Sequence, residues 1–211
     1  MDILPIFINS LKPLLWFLPI FFIIAFLKSP LFKGWFGEKL VNIKSNSTLP
    51  TDIYHDFHDV LIQDEFGITQ IDHIYISKFG IFVVETKNYQ GWIFGKVHDK
   101  KWVQNIYGKK QFFQNPLHQN YRHIKALEKT LNLTNDYFHS VIVFAGNCEL
   151  KSSFPDNICY LSNFTDYILS IKEPILRQDE IERLIHLLNM KRLENNKTNK
   201  KEHIKHLRQT H

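Results

Sequence analysis

The sequence predicts an α/β fold, in which a mixed β-sheet is flanked by helices and preceded by an N-terminal transmembrane helix. Short segments rich in β-branched and aromatic residues alternate with amphipathic helical segments, as in an α/β core. The 211 residues are 44% hydrophobic and include 18 Phe, which suffices for one domain of ordinary size with extensions. A charge-free apolar run near the N-terminus predicts the membrane segment.

This apolar run extends from Pro13 to Leu27 and contains no charged residue. It is shorter than the roughly 20 residues that a bilayer requires. Extension back to Ile3 supplies the length but takes in Asn9, Ser10 and Lys12, of which Lys12 could reach the interface. A signal peptide is a rival interpretation, although the residues around Ser29 offer no small-x-small cleavage site. A buried core helix is another, against which Pro13 and Pro19 argue. We expect residues near 8–27 to cross the lipid bilayer.

Basic residues predict the orientation of this single-pass anchor. Lys12 alone precedes the apolar run, whereas four lysines follow it closely, at positions 28, 33, 39 and 44. Because positively charged flanks remain on the inner side of a membrane, the main domain is expected to face the cytoplasm.

The remaining elements follow from periodicity and breaker residues. Asn115-Pro116 is typical of a helix start, and apolar residues from Leu117 to Leu127 form one stripe of that helix. Strands are expected over 53–63, 70–76, 81–87, 91–95 and 139–145, and helices over 37–41, 115–131 and 177–193. A helix, three antiparallel strands, a helix and a strand in this order predict a mixed sheet.

Composition divides the chain into a membrane anchor over 1–30, a main domain over 31–175, a helix over 176–194 and a basic tail over 195–211. From residue 191 onwards there are seven Lys or Arg against two Glu, which equals the formal net charge of +5 for the whole chain. Such a tail suits nucleic acid or anionic lipid.

Several function classes find no support in the sequence. The two cysteines lack CxxC spacing, so neither a disulfide framework nor a zinc module is indicated. The histidines show no HExxH spacing, and the chain contains no P-loop or GxGxxG motif. A zinc protease and a nucleotide hydrolase are therefore not expected.

Two carboxylates are predicted to face each other across a strand pair. A loop centred on Lys78-Phe79 would place Asp72 opposite Glu85, and Lys87 would share the face of Glu85. An acid at a strand end is usually only solvated, but the apolar neighbours predict burial here. Because opposed carboxylates repel each other, a divalent cation between them is the simplest explanation.

Several blocks around these residues form a recognisable pattern: Gly37-Glu38, Gln70-Ile71-Asp72-His73, Phe79 to Ile93 including Glu85-Thr86-Lys87-Asn88-Tyr89, Asn115 to Asn120, and His123-Ile124. Together they resemble the nuclease-related domain, NERD, of the PD-(D/E)xK superfamily with a restriction-endonuclease-like fold. The resemblance covers roughly residues 34–145, and Ile71 stands where the superfamily name has proline.

The resemblance implies a role for each matching position. Asp72 and Glu85 match metal-binding carboxylates, and Lys87 matches the lysine that acts on the attacking water and the phosphate. Glu38 matches an acidic residue that supports the metal site, and Gln119 a polar residue over the active face. Without the resemblance, Glu38 would favour a helix N-terminus and Gln119 would be an ordinary polar surface residue. The implied cofactor is Mg²⁺ or Mn²⁺.

The expected function is metal-dependent hydrolysis of phosphodiester bonds in nucleic acid, with DNA as the expected partner. The alternative is a non-catalytic nucleic-acid-binding protein, or a membrane scaffold, that keeps the nuclease fold. His73 is expected to be a core histidine. Asn88, Tyr89 and Trp92 are expected to pack at the strand end, with stacking on a nucleotide as the alternative.

Overall fold

The structure is a computed structural model that describes residues 16–64 and 67–194. Its helices are α1 (Leu18–Leu27), α2 (Pro30–Thr48), α3 (Pro116–Leu131), α4 (Phe164–Ser170) and α5 (Gln178–Lys191), with a 3₁₀ turn at Asn135–Tyr137. Its strands are β1 (His55–Asp64), β2 (Gly67–Ser77), β3 (Gly80–Lys87), β4 (Gly91–Phe94), β5 (Lys101–Ile106), β6 (Lys109–Gln114), β7 (Phe138–Phe144), β8 (Cys148–Leu150) and β9 (Ile158–Tyr160). The basic tail and the start of the predicted anchor lie outside the described residues.

The chain divides into two compact units, Met1–Phe36 and Gly37–His211. In the first unit, α1 has no buried residue. Helix α2 begins where Ser29 Oγ accepts a hydrogen bond from the Phe32 amide at 3.2 Å, with Pro30 in the first turn. The sequence predicted a helix only over 37–41, because Gly34 and Gly37 interrupt the helical pattern. The helix in the structure is much longer.

The sequence predicted a transmembrane helix near residues 8–27. Among the described residues, neither α1 nor α2 alone combines the length and apolar character of a membrane span. The two helices meet those criteria of length and composition only as a pair, which is bent by 58°.

The second unit is built on a five-stranded sheet in the order β1-β2-β3-β7-β9. The first three strands are antiparallel, as predicted, and β7 and β9 continue the sheet in parallel. Ile76 pairs with Ile81 and Ser77 with Gly80, so the predicted register is confirmed and the loop consists of Lys78 and Phe79. Strand β3 is buried from Gly80 to Glu85, because both faces of the sheet are covered.

Helices cover the two faces of this main sheet. On one face, α3 and α5 pack through Ile124, Leu127, Leu131, Leu184 and Leu188 against Ile74, Ile76, Ile81 and Val83. On the other face, Val41 of α2 and Phe164 and Ile168 of α4 join Tyr75, Phe82, Val84 and Val141. The predicted α/β architecture with flanking helices is therefore confirmed.

A second, four-stranded sheet has the order β6-β5-β4-β8. Only β4 was predicted, because β5 and β6 are rich in Lys, Gln and Asn and β8 has three residues. The inner face of this small sheet is anchored by Trp102, which is fully buried. The Trp102 ring lies parallel to the Phe144 ring of the main sheet, at 6.5 Å between centroids. The two sheets therefore share one apolar core.

Gly91 is expected to be required for joining the two sheets. It has φ +75°, and a Cβ atom there would lie 2.5 Å from the Asn105 carbonyl oxygen. Gly108 has φ +83°, with no heavy atom within 4 Å of such a Cβ. Alanine at either position would be strained by about 1–3 kcal/mol, but only Gly91→Ala adds a backbone clash. Urea unfolding of the full-length protein should show a clearly larger loss for Gly91→Ala, and equal losses would contradict this.

Candidate active site

The carboxyl end of β3 carries a buried ion pair. Lys87 Nζ donates to Glu85 Oε1 at 2.6 Å and to Gln119 Oε1 of α3 at 2.8 Å. Glu85 is only 2% exposed. Positions 85 and 87 share a face because strand side chains alternate, and that face lies beneath α3. The structure therefore brings together the three predicted residues Glu85, Lys87 and Gln119.

His123 of α3 binds the other oxygen of Glu85 and was not predicted as a site residue. Its Nε2 lies 3.1 Å from Glu85 Oε2, and its Nδ1 lies 3.0 Å from Thr69 Oγ1 of β2. Because a carboxylate can only accept, Nε2 must carry the proton. In the neutral imidazole, Nδ1 then accepts from the Thr69 hydroxyl. The available sequence signal was spacing, since Gln119 and His123 are four residues apart on one helix face.

Two asparagines fix α3 above the strands. Asn115 is the N-cap residue, and its side chain accepts from the Leu117 amide at 2.9 Å. Asn120 is fully buried, and its Nδ2 donates to the Val83 carbonyl and to Ser140 Oγ, both at 2.8 Å. The Asn120 bonds hold α3 to β3 and β7, which sets the positions of the side chains that reach Lys87 and Glu85.

Asp72 occupies the predicted position beside Glu85. The β2–β3 ladder ends with His73 paired to Val84, so Asp72 and Glu85 are the next residues in the same register. Asp72 Oδ2 accepts a hydrogen bond from the Thr86 amide at 2.8 Å. A side chain thus replaces the backbone bond at the point where the ladder stops.

Negative charge is concentrated around Asp72. Burial raises the pKa of Asp72 well above its usual value, and the charges of Glu85 and Glu38 raise it further. The hydrogen bond from Thr86 and the charge of Lys87 oppose this shift. Glu38 of α2 therefore acts electrostatically on Asp72, and its role in the site stays a prediction.

Glu85 and Lys87 stabilise each other's charge. Burial raises the pKa of Glu85, but the charge of Lys87 and the hydrogen bond from His123 outweigh it and lower that pKa below its ordinary value. Burial lowers the pKa of Lys87, yet the charge and hydrogen bond of Glu85 raise it overall. Lys87 is therefore a cation in this arrangement and not a neutral base.

The neighbouring residues are largely structural. His73 is 1% exposed, and burial together with the nearby His58 lowers its pKa to about 3. It is the expected core histidine, with its Nδ1 3.0 Å from that of His58. Tyr89 packs on Phe113 with 4.5 Å between ring centroids. Trp92, in contrast, is 49% exposed, whereas the sequence predicted that it would pack at the strand end.

The donor set suits a hard divalent cation in charge and chemistry. Across the described residues, no three His, Cys, Asp or Glu side chains are already arranged around a metal position. However, Asp72 interacts electrostatically with Glu85, Glu38 and Lys87, so that three carboxyl groups stand against one lysine. Carboxylate oxygens are the ligands that Mg²⁺ and Mn²⁺ prefer. The pKa of Asp72 is raised first by burial and then by the charges of Glu85 and Glu38, and a cation would offset the second effect.

A mixed α/β sheet that ends in two carboxylates and a lysine beneath a helix defines a restriction-endonuclease-like class of protein. The chain belongs to the nuclease-related domain family, whose sequence model matches residues 33–145. It is also 39% identical over 183 residues to a Bacillus anthracis protein described as uncharacterized, covering 84% of this chain and 85% of that relative. No solved structure matches the chain significantly.

The two carboxylates are expected to contribute to stability with opposite sign. In metal-free protein at neutral pH, Asp72→Asn should raise the free energy of unfolding, because it removes a carboxylate whose ionisation the fold disfavours while an acceptor for the Thr86 amide remains. Glu85→Gln should lower it by about 3–5 kcal/mol, because the buried Lys87 loses its partner. Chemical unfolding in EDTA measures both, and losses of similar size would contradict the assignment.

The pH dependence of stability should show the same contrast. The pKa of Glu85 is lowered on folding, so its contribution is complete above about pH 4.5 and is lost as the pH falls towards 2. The pKa of Asp72 is raised, so the folded state loses stability as the pH rises from about 3.8 through the folded pKa. Asp72→Asn should therefore flatten the decline in stability on the neutral side.

Proposed function

We propose that this protein is a metal-dependent nuclease that hydrolyses phosphodiester bonds of nucleic acid. The observation that carries the proposal is the buried Glu85–Lys87 pair, held at 2.6 Å next to Asp72 at the end of a central strand. Burying two carboxylates and a lysine costs desolvation free energy, and a protein that only binds nucleic acid gains nothing from that arrangement. Membership of the nuclease-related domain family supports the same conclusion.

The residues of the site divide the work between charge and orientation. Lys87 carries a compact positive charge, which would contact the phosphate and stabilise the charge that develops in the transition state. Gln119 holds the Lys87 ammonium from above, at 2.8 Å. His123 fixes Glu85 through its second oxygen, so that the carboxylate cannot rotate away from Lys87.

Asp72 and Glu85 are the proposed ligands of Mg²⁺ or Mn²⁺, with Glu38 as a further acidic residue near the same position. Each Glu85 oxygen keeps a lone pair beyond the hydrogen bond that it accepts. When bound, the cation would neutralise phosphate charge and lower the pKa of a water molecule. DNA is the proposed substrate within this class.

Cleavage assays on the full-length protein test the site. Asp72→Ala and Lys87→Ala should each reduce Mg²⁺-dependent cleavage of DNA by at least about 100-fold, and EDTA should abolish it. Glu128→Gln is the matched control, because Glu128 is also paired with a lysine, Lys125 at 2.8 Å, but lies on the outer part of α3. Product formation on single-stranded, double-stranded and branched substrates is the measurement.

Two results would count against the proposal. Undiminished cleavage in both Asp72→Ala and Lys87→Ala would remove the site assignment. Metal-dependent binding without cleavage of any of these substrates would favour the alternative, a nucleic-acid-binding protein or scaffold that retains the fold.

A second part of the proposal is that the N-terminal segment anchors the protein in a lipid bilayer, with the main domain in the cytoplasm. The sequence of α1 is entirely apolar and none of its residues is buried. Lys28 and Lys33 follow α1, as expected for the cytoplasmic side of a membrane segment. A bilayer would cover the apolar side chains that the described structure leaves exposed.

Cell fractionation separates an inserted anchor from surface adhesion. The full-length protein should stay in the membrane fraction after washes with high salt, because the apolar segment and not charge retains it. Deletion of residues 1–30 should release it, whereas deletion of 191–211 should not. Release of the full-length protein at ordinary salt, or release only after removal of the tail, would contradict the anchor.

A further inference from the structure

The outer face of the small sheet presents aromatic side chains to solvent. Trp92 and Phe94 of β4 are 49% and 37% exposed, and Phe112 of β6 is 68% exposed. Residues opposite each other on paired strands share a face. Phe94 pairs with Val103 and Val103 with Phe112, so these side chains form one apolar row across three strands.

A more polar row lies beside the apolar one. Trp92 pairs with Asn105 and Asn105 with Lys110, which places an indole, an amide and an ammonium side by side. The inner face already has its own aromatic residues, Trp102 and Phe113, which pack against each other with 6.3 Å between centroids. The outer aromatic residues are therefore not needed for the core of the small sheet.

The charge around this face is positive. Residues 91–114 contain five lysines and a single acidic residue, Asp99. Lys151 lies 5.1 Å above the Trp92 ring and is also paired with Glu149. A flat apolar surface with surrounding ammonium groups complements a partner that has flat rings and a charged backbone.

A groove continues from the polar row. It has a volume of about 720 Å³ and is lined by Trp92, Asn105, Tyr107 and Glu149 among others. Asn105 is an amide that can both donate and accept hydrogen bonds, and the Tyr107 ring is fully exposed at the turn between β5 and β6. The groove thus offers polar contacts for the edge of a base whose face is stacked on Trp92.

We propose that this outer face, formed by Trp92, Phe94, Val103, Asn105, Lys110 and Phe112, is a stacking platform for unpaired, single-stranded nucleic acid. Bases of a single strand expose the ring faces that a duplex keeps stacked. Lys87 is five positions before Trp92, so their Cα atoms lie at most about 18 Å apart. As the substrate surface of the proposed nuclease, the platform would hold the strand a few nucleotides from the site, and this part rests on the proposed function.

Binding to the full-length protein in EDTA tests the platform without cleavage. The probes are a fluorescein-labelled oligothymidylate of about 16 nucleotides and a duplex of equal length. Wild-type protein should bind the single strand more tightly than the duplex. Trp92→Ala and Phe112→Ala should each weaken single-strand binding about 5- to 100-fold. Both residues are exposed, so these variants should unfold at the same urea concentration as wild type.

Tyr121→Ala is the matched control, because Tyr121 is an exposed aromatic residue of α3 with Lys125 5.3 Å above its ring. It should bind the single strand as wild type does. Trp92→Phe supplies a second readout, since it should keep most of the affinity but lose the quenching of tryptophan fluorescence that stacking on an indole produces. Trp102 is buried and should not report binding.

Three outcomes would overturn the platform. The first is single-strand binding that is unchanged in Trp92→Ala and Phe112→Ala, and the second is an equal loss of binding in Tyr121→Ala. The third would show a lipid-binding face instead: Trp92→Ala and Phe112→Ala keep single-strand binding but lose adhesion to phosphatidylserine vesicles. Failure of the proposed function looks different. If Asp72→Ala cleaves like wild type while Trp92→Ala loses single-strand binding, the platform stands and the active-site assignment falls. If Asp72→Ala loses only cleavage and Trp92→Ala loses neither activity, the reverse holds.

Discussion

The ion pair between Glu85 and Lys87 is the interaction on which the rest of the site depends. Glu85 is buried and Lys87 is largely buried on the same face of a central strand, where a single charge would be strongly disfavoured. Each therefore requires the other, and the surrounding chain supplies the remaining partners. Gln119 accepts a second hydrogen bond from the lysine, and His123 donates one to the other oxygen of the glutamate. Helix α3 must sit where it does for both contacts to exist together.

Asp72, in contrast to Glu85 and Lys87, has surroundings that destabilise its charge. Its ionised form is disfavoured by burial and by two neighbouring carboxylates, and only one backbone amide and a lysine oppose them. Proteins keep such local conflicts mainly where function requires them. The balanced pair at Glu85–Lys87 provides a rigid frame, and the unbalanced charge at Asp72 is the charge that the proposed cation would neutralise.

The sequence predicted the main sheet better than the small one. The strands around Asp72 and Glu85 have continuous apolar runs and a short turn, and these alone determine their register. In contrast, β5 and β6 are exposed on one face and consist largely of Lys, Gln and Asn, which carry little strand signal. Their pairing depends on Trp102 packing against the main sheet, a contact between residues far apart in sequence.

The site residues show the same division. Asp72, Glu85 and Lys87 could be placed together because strand alternation and one hairpin relate them. Gln119 was identified only through family resemblance, since nothing local states which helix face covers the strand. His123 and Thr69 were missed, because the chain of contacts from Thr69 to His123 and from His123 to Glu85 joins β2, α3 and β3 in three dimensions. Trp92 was expected to pack, but its partner strands present it to solvent.

The connectivity of the two sheets has a consequence for how the chain folds. Strand β8, which completes the small sheet beside β4, follows directly after β7, and β7 is the parallel partner of β3. The β5–β6 hairpin can form early because its contacts are local. The edge of β4 that β8 covers stays open until β7 has paired with β3, which brings together residues about 57 positions apart, such as Ile81 and Phe138. Parallel pairing across such a loop is slow to form. The small sheet therefore cannot form as a separate folding unit, and the surface it presents appears only when β3, which carries Glu85 and Lys87, is already in place.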